Sequence, residues 1–95
     1  MKLPVDYDDL TYPERRDVRE EYIRIQNEKC WHCGTSLYWQ PHEGIRNEPI
    51  DWALFPGGKF FLENPIHLHH SHETGMTEGA VHAFCNAYLW QYEGQ

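Results

Sequence analysis

Pro65-Ile-His-Leu-His-His-Ser-His-Glu-Thr-Gly-Met-Thr-Glu-Gly-Ala-Val-His-Ala-Phe-Cys-Asn-Ala-Tyr-Leu-Trp90 is the stretch that decides the fold. It holds five of the seven histidines and one of the three cysteines. Pro65 to His70 predicts a strand, and Ser71 to Gly75 a turn with Gly75 at positive φ. Met76 to about Val81 predicts the returning strand of a hairpin. A helix follows from about His82 to about Tyr92, with Ala83, Ala87, Leu89 and Trp90 facing inward and Gly94 ending it. The order is ββα.

Working outward, His82 and Cys85 form one x₂-spaced pair, and Cys30 and Cys33 form another upstream, with 48 residues between the two pairs. Three sulfurs and one imidazole nitrogen make a closed tetrahedral Zn²⁺ site, and this use accounts for the odd cysteine. Gly34 gives the first pair the freedom to leave its turn. The competing reading makes Cys85 a buried helix residue and His82 a surface one. A redox role for Cys30 and Cys33 has no thioredoxin-like βαβ pattern around it. A structural zinc would tie the end of the first helix to the start of the last, making its binding energy folding energy.

Ninety-five residues, 40% of them hydrophobic, predict one small domain over 1–95 with a thin core. Fifteen percent of the chain is aromatic, with four Trp to supply bulk. Met1-Lys2-Leu3-Pro4-Val5-Asp6 turns polar at once, and no apolar run approaches membrane length. Both features predict a cytoplasmic protein with no membrane partner. The net charge of −7 argues against a broad, non-specific nucleic-acid binder. Local contacts remain open, because Arg15, Arg16, Arg19 and Arg24 fall close together and a bound metal adds positive charge.

Residues 1–10 read as an extended lead-in. Within 11–29, Thr11 caps a helix from about Pro13 to about Glu28, Glu14 completes a capping box, and Pro13 suits the first turn. Val18, Tyr22 and Ile25 form its apolar stripe. Arg15, Arg16 and Arg19 lie on the other faces, as a solvated surface or, in the sharper reading, as substrate phosphate contacts. Residues 30–39 hold the knuckle and a short strand, Thr35–Trp39. Residues 40–64, punctuated by Pro and Gly, predict a long ordered loop whose Trp52, Leu54, Phe55, Phe60, Phe61 and Leu62 cover the core. Lys59 and Arg46 read as surface residues rather than substrate contacts.

Leu68-His69-His70-Ser71-His72-Glu73-Thr74-Gly75, with Gly79-Ala80-Val81-His82-Ala83-Phe84-Cys85-Asn86 and the upstream Cys-x-x-Cys, resembles the ββα-metal motif of HNH endonucleases. It is closest to the branch that includes phage recombination endonuclease VII, and small HNH proteins of tailed phages resemble it too. The resemblance covers residues 30–34 and 65–90. It implies an α+β fold: a small, zinc-stapled, treble-clef-like ββα-metal domain spanning 65–93 behind an N-terminal helix. It also implies a DNA endonuclease in which His70 is the general base and Asn86 ligates a catalytic divalent cation. His69 stands where the branch has a metal-binding Asp, His82 where it has a zinc Cys, and Ser71 where an Asp is frequent. His82 remains a competent zinc ligand. His69 keeps a ligand but removes a charge, so a borderline ion such as Mn²⁺, Ni²⁺ or Zn²⁺ competes with Mg²⁺ for the catalytic position.

The chemistry stands beside the resemblance. Phosphodiester hydrolysis needs an activated water, and an imidazole neutral near pH 7 can take its proton. On a strand, adjacent His69 and His70 point to opposite faces, so both reach one site only where the strand twists or ends. His72 is a further candidate ligand. His67 shares the face of His69 and reads first as an ordinary hydrogen-bonded histidine. A zinc-stapled binding module without catalysis is the alternative, as is a partner of phage packaging or recombination proteins docked through its acidic surface. A homodimer would let a single small domain cut both strands.

Overall fold

The computed structural model describes residues 1–55 and 57–94, and only the backbone of Lys59 and Phe60. The expectations for those two side chains lie outside it. The first helix, α1, spans Tyr12–Ile25. Thr11 Oγ1 accepts from Glu14 N at 3.4 Å, and the Glu14 carboxylate accepts from Thr11 N at 2.9 Å. This is the reciprocal cap that the sequence predicts. The helix stops three residues short of Glu28. Asn27 and Glu28 adopt φ of 54° and 63°, and Gln26 turns its side chain to another task. Its Nε2 donates to Ala80 O and its Oε1 accepts from Ala80 N, both at 2.9 Å. One carboxamide thus mimics a neighbouring strand.

Val18 and Tyr22 are buried as expected, but Ile25 is 49% exposed and Ile23 takes the inward place. Ile23 joins a core cluster with Cys30 and Leu37, which the chain brings back over the helix end. Burial here follows the folded-back knuckle rather than the stripe of the isolated helix.

The hairpin forms as predicted. β1 (Ile66–His70) pairs antiparallel with β2 (Thr77–His82). Gly75 sits at φ 78° in the connecting turn, a conformation that glycine adopts without steric cost. The register carries one irregularity: His69 faces Gly79, but His70 faces Thr77, leaving Glu78 as an extra residue. Such a bulge twists the strand locally. The lead-in is no loose arm. Thr77 N donates to Val5 O at 2.8 Å, and Tyr7 N donates to Gly75 O at 2.9 Å. Residues 5–7 therefore lie along the edge of β2, followed by a single 3₁₀ turn, Tyr7–Asp9. Tyr22 and Thr77 share a buried hydroxyl contact of 3.0 Å that joins α1 to this edge.

The knuckle turns at Gly34, φ 79°, with Cys30 N donating to Thr35 O at 2.8 Å. The strand expected over Thr35–Trp39 is absent. A single bridge joins Lys29 to Ser36, and then Trp39 N donates to Ser36 O, turning the chain. Tyr38 and Trp39 are 61% and 77% exposed, without a sheet to join. The 40–64 loop contains a short helix, α2 (Glu43–Arg46), and 3₁₀ turns at Trp52–Leu54 and Gly58–Leu62. Phe55 is its buried anchor, while Leu54 and Leu62 face solvent.

The last helix, α3 (Ala83–Glu93), ends on Gly94 in the left-handed region. Ala83, Ala87 and Leu89 point inward, but Trp90 is 37% exposed, contrary to expectation. Its ring packs against Phe55 at 4.6 Å instead of entering the core. Among the described residues, no helix is long and apolar enough to cross a membrane.

Gly79 is where the knuckle lies closest on the sheet. A Cβ there would sit 2.7 Å from Trp31 Cγ and 2.8 Å from Gln26 Oε1. Gly79→Ala is therefore expected to cost about 1–3 kcal/mol through overpacking. Urea unfolding measures it; a wild-type midpoint would mean that Trp31 swings aside freely.

Candidate metal centre and active site

Two sites flank the hairpin. At its end, β2 runs into α3 at His82, so His82 and Cys85 lie one turn apart, and the knuckle brings Cys30 and Cys33 to meet them. All four ligand atoms lie within 4.8 Å of one another. Tetrahedral zinc with bonds of about 2.3 Å to sulfur and 2.0–2.1 Å to nitrogen requires ligand separations of roughly 3.6–3.8 Å. His82 Nδ1 stands 3.4 Å from Cys33 Sγ and 3.6 Å from Cys85 Sγ. His82 Nε2 lies 2.8 Å from the carbonyl of Ser36. Donation from Nε2 to that carbonyl leaves Nδ1, which faces the thiols, as the nitrogen that would give up its proton to a metal.

The electrostatics agree with the geometry. The hydrogen bond from Cys85 holds the Cys30 thiol down to about 3 against its burial. Cys85 is pushed up, first by that same bond and then by burial and the thiolate charges. Burial lowers His82, but its bonds to Cys30 and Ser36 and the neighbouring thiolates outweigh this and raise it to about 9. A cluster that retains protons to offset its own negative charge is suited to a dication. Cys30, Cys33, His82 and Cys85 could thus hold a metal ion such as zinc.

The second site lies on the face of the hairpin that α1 and α3 enclose. Asn86, one turn into α3, reaches β1. Its Oδ1 is 3.1 Å from His69 Nδ1, and its Nδ2 is 3.1 Å from His67 Nδ1. The alternation that puts His67 and His69 on one face is therefore real, and His67 is part of the constellation. Burial lowers His67 to about 4, with the carbonyls of Phe61 and Asn64 opposing. It is neutral near pH 7 and accepts from the amide.

His69 is 1% exposed. Its Nε2 lies 3.4 Å from Glu78 Oε2, near enough for an ion pair, yet without an aligned hydrogen bond. Glu78 occupies this place because the bulge turns it there. A carboxylate thus sits behind the buried His69 imidazole. His69 Nδ1 and Asn86 Oδ1 are hydrogen-bonded directly to each other at 3.1 Å, and His69, buried beneath Asn86, does not itself line the cavity that Asn86 shares with His70.

His70 points the other way from His69, as strand geometry dictates, and the local twist leaves both His70 and Asn86 lining one cavity of about 620 Å³. Its ring stacks on Tyr7 at 3.9 Å and 12°, and the Arg15 guanidinium covers the opposite face of Tyr7 at 4.0 Å. Arg15 also donates to Tyr7 O from Nε and Nη2. Burial pushes His70 down, helped by the charges of His72, His69 and Arg15 and opposed by Asp8. His72 lines the same cavity, 5.2 Å from the His70 ring centre to centre.

Arg15, Arg16 and Arg19 all line this cavity, while Arg16 and Arg19 also lie beside Asp17 and Glu20 at 3.8 and 3.9 Å, as a solvated charged face would have them. Sequence reasoning passed over Tyr7, Glu78 and the placement of Trp90. The two histidines spaced by one residue were the available signal for His67; nothing local marked Tyr7. No family model, curated protein or solved structure matches this chain.

Proposed function

We propose that this protein is a metal-dependent DNA endonuclease of the HNH, ββα-metal kind, stapled by zinc at Cys30, Cys33, His82 and Cys85. The observation that carries the reading is a single cavity in which His70, Asn86 and three arginines converge. His70 is kept neutral at neutral pH by its setting, so it can accept a proton from water. The stack on Tyr7 fixes the plane of its ring. Arg15, Arg16 and Arg19 offer the donors that hold a phosphate in the cavity. A divalent cation held by His69 and Asn86 would replace the hydrogen bond between them and, when bound, would relieve charge on the phosphate and the leaving oxygen. Glu78, 3.4 Å from His69 Nε2, returns negative charge near the place where the family's Asp would have supplied it.

The sequence resemblance supports this assignment, and the hairpin–helix order of β1, β2 and α3 fits it. The net charge of −7 favours a second reading, a zinc-stapled binding module without catalysis. A cleavage panel decides between them. Supercoiled plasmid, nicked plasmid and branched DNA are incubated with Mg²⁺, Mn²⁺, Ni²⁺ or Zn²⁺. Cutting is expected with at least one ion, and Mn²⁺ or Ni²⁺ is expected to outperform Mg²⁺. No cutting under any condition hands the case to the binding module.

A further inference from the structure

The cavity beside His70 differs from what duplex recognition needs. A typical duplex binder tracks a long run of phosphates with a broad basic surface. This chain has eight Lys and Arg against fifteen Asp and Glu. Three of its cations, Arg15, Arg16 and Arg19, gather at one concavity. That footprint suits a few phosphates of one strand. The cavity volume of about 620 Å³ lies within the range that encloses a drug-sized molecule, and a mononucleotide is of that size.

The lining adds a second observation. Aromatic rings stand on several sides of the cavity: Tyr12 at the start of α1, Trp90 on α3, and Phe61 from the loop. Tyr12 is 80% exposed and Trp90 37% exposed. Neither is needed to fill the core, and both present ring surface where solvent can reach it. Rings beside guanidinium groups are how proteins hold unpaired bases, since every base has a π-face to stack. Bases within a duplex are already stacked on one another and offer no such face.

We propose that this cavity takes an unpaired nucleotide, stacked on Trp90 and Tyr12, so that the substrate is single-stranded or locally unpaired DNA. This rests on the nuclease reading for its biological meaning, though the binding itself is tested separately. The neighbouring phosphate then lies toward His70 and Asn86, and the base is held away from them.

The experiment uses the full chain carrying His70→Ala, so that binding is read without cleavage. Fluorescence anisotropy measures the affinity for a short labelled deoxythymidine oligonucleotide and for the same strand annealed to its complement. The single strand is expected to bind at least tenfold more tightly. With three arginines engaged, log K should fall against log salt with a slope of about −2. Trp90→Ala in the same background is expected to lose about tenfold in single-strand affinity, and Trp90→Phe to retain most of it. Tyr12→Ala, at so exposed a position, tests the stack without risk to folding. Equal or tighter binding to the duplex overturns the proposal, as does full affinity in both the Trp90→Ala and Tyr12→Ala variants. The two readings fail separately. Single-strand binding without cutting under any cation ends the nuclease reading and keeps this site, whereas equal binding of both forms by a protein that cuts keeps the nuclease and removes this site.

Discussion

Removing the ion expected at Cys30, Cys33, His82 and Cys85 should unfold the chain. Structural zinc contributes on the order of 10–16 kcal/mol in zinc-finger peptides, while a whole small domain has only about 5–15 kcal/mol of net stability. The core offers little to fall back on, because Ala80, Val81 and Cys85 are among its members. Without a cation, buried Cys30 and Cys85 are left sharing protons in an enclosed site. A strong chelator should abolish the helical circular dichroism signal, and metal analysis should give one tightly held zinc per chain. Cys85→Ser should be worse than Cys33→Ser. Cys85 is fully buried, whereas Cys33 lies only half-buried beside the Thr35 hydroxyl at 3.2 Å. A metal-free chain with an intact cooperative unfolding transition would remove the staple.

His70→Ala is the second large effect. Loss of a general base costs about 10²–10⁴-fold in rate, so plasmid cleavage should drop to near background. Zinc content and helicity should not change, because His70 touches none of the zinc ligands. The structural loss is the ring stack on Tyr7, worth about 0.5–1.5 kcal/mol, and the tilted contact with the His72 ring. Asn86→Ala makes the contrast. On the proposed function it should also lose cleavage, but it strips partners from His67 and His69 at once, and each buried group left unsatisfied costs about 1–3 kcal/mol. Thermal unfolding therefore separates the two variants where cleavage does not. A His70→Ala protein that still cuts at the wild-type rate would move the base elsewhere, with His72 the nearest imidazole.

What the sequence made legible was local or spaced by simple rules. Thr11 and Glu14 announce their cap through chemistry three residues apart, and Gly75 and Gly94 mark turns that only permissive backbone makes cheaply. The cysteine pairs read correctly because a tetrahedral ion restricts which spacings can meet. What stayed hidden depended on contacts between distant segments. Gln26 leaves its helix to bond Ala80, 54 positions away, and nothing near Gln26 foretells it. The strand expected over Thr35–Trp39 had suitable residues but no partner to pair with. Glu78 became visible only with the irregular register opposite His69 and His70, which alternation alone cannot locate. That Arg15, Arg16 and Arg19 of α1 line one cavity depends on the hairpin packed beside them, which their local sequence does not foretell.

The segment Val5–Tyr7 has two duties at once. Its backbone screens a sheet margin that would otherwise be free to recruit a stranger's strand, and its phenol ring lies flat upon the imidazole of His70. The cover over this sheet edge and the placement of the His70 ring consequently depend on the same few amino acids. Anything that peels this strip away, whether a competing chain or a bulky fusion at the amino end, would free the His70 ring and lay bare the sheet edge in one stroke.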